Sequence, residues 1–187
     1  MDRGTVGTGG LTITIGGGTR SDLLGALSRA GVQLNVHAET LLADPAFDAP
    51  LEQTLTVVER TVAELDLPQG AVQSRVFAAA LAQGLQLCPL ITGPWLRLAL
   101  LDQATAPDSV LSAGRAPSGA IHIASASVNE DVEHPKGFYL RVVDGVPWLR
   151  GYRCDDTYIW PAEQRLAFVL AAGPDSRRCA ATGTVAR

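Results

Sequence analysis

The pair Asp144-Gly145 constrains this chain more than any other feature, because it lies between two runs in which apolar and polar residues alternate. Asp-Gly favours a two-residue type I′ turn, in which both residues need a positive φ, and alternation is typical of β-strands. The stretch 138–153 therefore predicts a β-hairpin. In its register Val143 pairs with Val146, and every pair further from the turn follows from that one.

The two faces of the predicted hairpin differ in chemistry. One face is apolar and we expect it in the core: Phe138, Leu140, Val142 and Leu149. The other face combines guanidinium and aromatic groups: Tyr139, Arg141, Trp148, Arg150 and Tyr152. In the predicted register Arg141 lies opposite Trp148, and Tyr139 lies opposite Arg150. This second face is the candidate functional surface.

The residue types on this face predict a ligand-binding site. Guanidinium groups beside aromatic rings suit a small anionic or planar ligand, such as a nucleotide or a phosphorylated or sulfated metabolite. The segment 95–100 alternates Trp95 and Arg97 against leucines, so we predict a strand that adds these two residues to the same face. A single-stranded nucleic acid is a less favoured ligand. Such pairs also stabilise an ordinary solvated sheet face, which is the competing interpretation.

Two other functions remain open at this point. The first is an enzyme of bacterial small-molecule metabolism, including specialised metabolism, in which the arginines hold an anionic group and Cys88, His122 or Asp155 moves a proton. The bland alternatives are a small buried cysteine and a solvated turn acid. The second is an interaction module: Pro147 marks an edge or a bulge beside the hairpin, and an edge can pair with a second copy to form a homodimer.

The remaining patterns predict an α+β fold. Thr19 and Asn35 are N-cap candidates for two helices, and 72–83 has the apolar spacing of a third. The segments 55–65, 120–124 and 165–170 favour strands. We therefore expect a mostly antiparallel sheet with about three helices on one face, in a single domain over 11–171, with disordered tails at 1–10 and 172–187.

Net charge, cysteine spacing and the N-terminal sequence argue against several classes of protein. A net charge of −4 argues against a protein that coats nucleic acid by bulk attraction. The three cysteines form no Cys-x-x-Cys pair, and the spacing of the histidines and carboxylates indicates no metal site. We predict no cofactor. The N-terminus lacks the pattern of a signal peptide and no apolar run approaches about 18 residues, so we expect a cytoplasmic protein without membrane contact.

Several phrases of the sequence are similar to those of one bacterial family. They are LDLPQGA at 65–71, GLQLCP at 84–89, GPWLRLALLDQ at 93–103, and the hairpin through Trp160 and Phe168. Over 11–171 the chain resembles this family of small uncharacterised bacterial proteins, which often carry a "helicase" label. A helicase needs a P-loop with its lysine, whereas the single lysine here is Lys136 in Pro-Lys-Gly. The resemblance therefore implies a family without implying a reaction.

Overall fold

Eight strands and four α-helices make up the computed structural model, which describes residues 10–109 and 116–171. The strands are β1 (Leu11–Ile15), β2 (Gln33–Leu34), β3 (Gln53–Thr61), β4 (Leu85–Gln86), β5 (Ile121–Ile123), β6 (Gly137–Val143), β7 (Val146–Tyr152) and β8 (Arg165–Leu170). The α-helices are α1 (Arg20–Arg29), α2 (Val36–Leu42), α3 (Gln73–Ala82) and α4 (Thr92–Ala99). Apart from Gly10, both predicted tails lie outside the described residues.

The predicted hairpin is confirmed as β6 and β7. Asp144 and Gly145 have φ values of 51° and 76°, as a type I′ turn requires. Val143 pairs with Val146, and the antiparallel pairing continues to Gly137 and its partner at the end of β7. The turn residues therefore set the register of all seven pairs in this hairpin.

The sheet is mixed, which corrects the expectation of a mostly antiparallel sheet. Its strand order is β1-β3-β8-β5-β6-β7-β2, and β4 also pairs with β8. Two of the pairings are parallel, β5 with β8 and β2 with β7. Parallel strands are joined by long connections rather than tight turns, so no local turn pattern predicts their pairing.

Local capping signals explain where the first two helices begin. Thr19 and Asp22 form a reciprocal capping box at the start of α1, in which each side chain accepts a hydrogen bond from the other's backbone amide. The side chain of Asn35 accepts from the amide of Ala38 and caps α2. In the described part of the chain, no helix is long and apolar enough to cross a lipid bilayer.

The segment that contains Trp95 and Arg97 is a helix, so the strand prediction for 95–100 is wrong and the fold has four α-helices rather than three. Leu96 and Leu100 are both buried and are four residues apart, as on one side of a helix. Arg97 is also buried, so the alternation of Arg97 with leucines did not reflect an exposed and a buried face.

Helices cover both faces of the sheet, which corrects the expectation that they pack on one face only. Helices α1, α2 and α4 contribute Leu27, Leu41 and Leu96 to one core cluster together with Leu149 of the hairpin. Helix α3 contributes Val76 to a second core cluster, which also contains Trp160 and Phe168. The guanidinium and aromatic face of the hairpin lies on the side of this second cluster, and it is therefore partly covered.

Candidate functional site

A cavity of about 710 Å³ opens beside the hairpin, between β7, the start of α2 and the segment that follows β7. We call it the hairpin cavity and define it by these lining residues: Asn35, Val36, His37, Ala116, Pro117, His122, Val132, Glu133, Tyr139, Arg150, Gly151, Tyr152, Arg153, Cys154, Asp155, Tyr158 and Trp160. Cavities of roughly 300–1,000 Å³ are typical of small-molecule sites. Three residues of the predicted site line it, namely Tyr139, Arg150 and Tyr152.

Four rings form the floor of the hairpin cavity: His122, Tyr139, Tyr152 and Trp160. The imidazole of His122 stacks on Tyr139 with ring centroids 5.0 Å apart, and it meets Tyr152 and Trp160 edge to face at 5.0 and 4.7 Å. The sheet register creates this contact, because His122 of β5 is paired with Tyr139 of β6. The floor is therefore rigid and mostly apolar, and it carries a few polar ring atoms.

His122 is 2% exposed and stays uncharged near neutral pH, because burial lowers the pKa of the imidazole to about 3. Its Nδ1 atom is 2.8 Å from Nε2 of the buried side chain of Gln164. Because the ring lines the cavity and Nδ1 is occupied, Nε2 is the nitrogen left for a ligand. His122 can therefore form a hydrogen bond with a ligand but is a poor proton acceptor.

The two floor tyrosines each accept a hydrogen bond through the phenolic oxygen. Nε of Arg150 donates to Tyr139 at 2.7 Å, and Nε2 of Gln73 donates to Tyr152 at 2.8 Å. Burial raises the pKa of both phenols above the usual value, although the charge of Arg150 opposes part of this rise at Tyr139. Both tyrosines therefore keep their protons at neutral pH.

Arg150 is the half-buried cation of the cavity wall. Its Nε atom is used by Tyr139, and its guanidinium carbon lies 5.1 Å from the ring centre of Trp148. That distance is within the range of a cation–π contact, which holds the planar group in one orientation. Among the described residues, no carboxylate forms an ion pair with Arg150, so its terminal nitrogens can bind an anion.

Helix α2 is held against β7 by one asparagine and one glycine. The amide group of Asn35 donates to the carbonyl of Gly151 at 3.0 Å and accepts from its N–H at 2.8 Å. A Cβ atom on Gly151 would lie 2.6 Å from the carbonyl carbon of His37, so only glycine permits this approach. Burial followed by the nearby charges of Arg153 and Arg150 lowers the pKa of His37, which lines the same wall.

The rim of the cavity carries charges of both signs. Arg153 and Glu133, both exposed, form an ion pair there. Asp155 accepts hydrogen bonds from the Thr157 side chain and from the backbone amides of Thr157 and Tyr158, which lower the pKa of the carboxyl. Exposed pairs of this kind contribute little stability, and a charged ligand can exchange with them.

Arg141 and Arg97 do not line the hairpin cavity, although the sequence pattern grouped both with Arg150. Both are fully buried. Arg141 donates to the backbone carbonyls of Ser118 and Asp108 at 2.9 Å and to the Asp108 carboxylate at 2.7 Å, and so holds these two residues to β6. Arg97 donates to Gln103 at 2.7 Å and to the carbonyl of Leu100, at the end of its own helix.

The two tryptophans of the predicted site also lie outside the cavity lining. Trp148 is half-buried on β7 and contacts the cavity only through its cation–π partner Arg150. Trp95 lies on α4 and packs against the first core cluster. The outer edge of β7 is paired with β2 at Trp148 and Leu149, directly after the edge predicted at Pro147.

The three catalytic candidates are not brought together as a catalytic set. Cys88 is 3% exposed, its thiol donates to the carbonyl of Ala167, and burial raises its pKa to about 12. His122 and Asp155 line the cavity, but one is held neutral and the other is occupied by backbone amides. In the parts of the chain that are described, no group of three or more His, Cys, Asp or Glu side chains could hold a metal ion.

A second cavity of about 680 Å³ lies beyond Ala116, Pro117 and Tyr158, which line both cavities. Its charged residues include Asp108 and Arg165, which are ion-paired with Arg141 and Glu59 respectively. A ligand would have to compete with these pairs. The hairpin cavity, with its less engaged Arg150, is the stronger candidate.

Sequence reasoning missed several residues that line the hairpin cavity or hold its lining in place. Gln164 and Asn35 act through hydrogen bonds to residues 42 and 116 positions away, and neither carries a local signal for that role. Cys154 and Trp160 follow the hairpin at its distal end. Trp160 is positioned by an antiparallel bridge to Ala71, a partner that no local pattern in the sequence indicates.

No protein-family model matches this chain, and searches of curated proteins and of solved structures returned no match either. The resemblance to a bacterial family with a "helicase" label therefore stays a prediction.

Proposed function

We propose that the protein binds a small anionic ligand with a flat body in the hairpin cavity. The observation that supports this proposal best is the environment of Arg150. Its guanidinium is half-buried and oriented by Tyr139 and Trp148, with terminal nitrogens not engaged by any carboxylate of the described residues. A cation held in this way beside aromatic rings suits a carboxylate, phosphate or sulfate attached to a ring.

The size and burial of the site favour a small molecule over a single-stranded nucleic acid. Nucleic-acid platforms stack bases on exposed aromatic faces along a basic groove. Here Tyr139 and Trp160 are 5% and 1% exposed, and His122 occupies one face of Tyr139. A ligand inside the cavity would contact ring edges and hydroxyl groups rather than a continuous stacking surface.

Binding also agrees better with the ionisable groups than catalysis does. A general base needs a pKa near the working pH, whereas that of His122 is lowered to about 3. Burial raises the pKa of the Cys154 thiol, although the Trp160 N–H that faces the sulfur opposes this rise, so the reactive thiolate is disfavoured. These groups suit fixed recognition contacts rather than proton transfer.

The proposal is tested by a thermal-shift screen followed by calorimetry. The screen contains nucleotides, phosphorylated and sulfated metabolites and aromatic carboxylates. A ligand at about 100 times its Kd stabilises the folded state by about 2.7 kcal/mol. The matched variants are Arg150→Met and Arg75→Met, since Arg75 is an exposed arginine on α3 that does not line the cavity.

We expect Arg150→Met to weaken binding of an anionic hit by roughly 10- to 100-fold, because a charge-assisted hydrogen bond contributes about 1.5–3 kcal/mol. Arg75→Met should bind like the wild type. Equal affinity in the wild type and in Arg150→Met would show that the anion binds elsewhere and would refute the proposal.

A further inference from the structure

The floor of the hairpin cavity is unusual in the direction of its hydrogen bonds. Each of its four rings, His122, Tyr139, Tyr152 and Trp160, carries one polar hydrogen. Where the acceptor atoms of these rings have partners, those partners are other side chains of the protein. The ring atoms that have no partner in the protein therefore indicate which groups a ligand must carry.

The hydrogen-bond network determines the tautomer of His122. Nε2 of Gln164 lies 3.3 Å from the carbonyl oxygens of Ala120 and Arg165 as well as 2.8 Å from Nδ1 of His122. If the amide were flipped, its oxygen would face two carbonyl oxygens, which is unfavourable. Gln164 therefore donates to Nδ1, and the proton of the neutral imidazole is on Nε2. His122 presents an N–H donor to the cavity.

Both tyrosine oxygens accept a hydrogen bond, but only that of Tyr139 has a partner that lines the cavity, because the Tyr152 oxygen lies against Gln73 and Gly137. The oxygen of Tyr139 accepts from Arg150, and that of Tyr152 accepts from Gln73. The hydroxyl protons are left over, and the described residues supply no acceptor for either of them. An incoming N–H donation strengthens a hydroxyl group as a donor.

Trp160 brings no acceptor to the floor. Its indole N–H is buried and has no hydrogen-bond partner of ordinary geometry among the described residues. It faces the sulfur of Cys154, which is a weak acceptor. This contact opposes the rise that burial causes in the pKa of the thiol. Arg150 on the adjoining wall likewise has only donors.

We infer that the ligand is a planar acid with carbonyl-type oxygens on its ring, in addition to the anionic group bound by Arg150. This inference rests on the proposed function. A ligand that displaces water from a floor of donors must replace the acceptors that the water supplied, or it loses affinity. A purely hydrocarbon ring leaves the donors unpaired, and a ring with N–H groups sets donor against donor.

The test compares three bicyclic probes by calorimetry at neutral pH. Chromone-2-carboxylate carries a carboxylate and ring oxygens, 2-naphthoate carries the carboxylate alone, and 2-naphthylmethylamine carries a positive charge. The proteins are the wild type, His122→Phe, Tyr139→Phe and the control His134→Phe, since His134 does not line the cavity. Circular dichroism checks that each variant is folded, and the two floor variants test the inference independently.

We expect the wild type and His134→Phe to bind chromone-2-carboxylate about 10-fold more tightly than 2-naphthoate, as two hydrogen bonds to neutral donors predict. The ratio should fall to about threefold in each floor variant, because one of the two hydrogen bonds is lost. Equal affinity for the two acids in the wild type, or a ratio that survives both variants, would overturn the inference and leave the anion site standing. If neither acid binds, or the amine binds as tightly as the acids, the proposed function itself is overturned.

Discussion

Replacing the buried His122 by phenylalanine should change how the stability of the protein depends on pH. The pKa of His122 is about 3 in the folded protein, whereas an unperturbed histidine has 6.5. As pH falls below 6.5 the unfolded chain binds a proton that the folded protein does not, so stability is lost progressively down to about pH 3. Between pH 7.0 and 4.5 this loss amounts to about 2.5 kcal/mol.

The phenylalanine variant has no such proton to bind. At pH 7.0 it should be destabilised by about 1 kcal/mol, because the hydrogen bond from Gln164 is lost while that side chain keeps its two carbonyl acceptors. At pH 4.5 it should be more stable than the wild type. Carboxylate titrations are common to both proteins, so they cancel in the difference.

The assay is urea denaturation followed by circular dichroism at pH 7.0 and 4.5, with His134→Phe as the control, since His134 lies outside the four-ring floor. The free-energy difference between the wild type and His122→Phe should shift by about 2–3 kcal/mol between the two pH values. A difference that stays the same at both would mean that His122 can be protonated in the folded protein. The hydrogen bond from Gln164 to Nδ1 would then not hold the imidazole neutral.

Three further predictions concern the packing around the cavity. In urea denaturation Arg141→Met should lower the free energy of unfolding by about 3–5 kcal/mol, because it removes a fully buried cation that holds Asp108. Arg150 is only half-buried, so Arg150→Met should lower it by about 1 kcal/mol or less. The reverse order would contradict the assignment of the two arginines. Gly151→Ala should lower the free energy of unfolding by about 1–3 kcal/mol, because its Cβ atom has no room against α2, and an unchanged Tm would exclude this contact. A thiol reagent with mass mapping should label half-buried Cys154 in the folded protein and Cys88 only after unfolding, so early labelling of Cys88 would show that it is accessible.

Local features of the fold could be predicted from sequence because their causes are local. The turn at Asp144 and Gly145 needs two positive φ values and determines the hairpin pairs within a few residues of it. The caps at Thr19 and Asn35 satisfy amide groups three residues away. In each case the partner groups are neighbours in the chain, so the pattern itself contains the interaction.

The segment around Arg97 shows why other predictions were wrong. Leucines at 96, 98 and 100 fit both a strand and a helix over so short a length. The decision depended on whether the arginine faces solvent, and Arg97 is buried with its two terminal nitrogens donating to Gln103 and to the carbonyl of Leu100. A hydropathy pattern treats any arginine as exposed.

The sequence by itself determined the hairpin, its register and the set of arginines and aromatic residues on one of its faces. Tertiary structure alone decided how that face is divided. Arg141 is buried and paired with Asp108. Arg150 instead lines a cavity whose floor combines rings from β5, β6, β7 and the segment before β8. The physical reason is that burial and ion pairing depend on groups from distant parts of the chain, and these meet only when the strands assemble into the sheet.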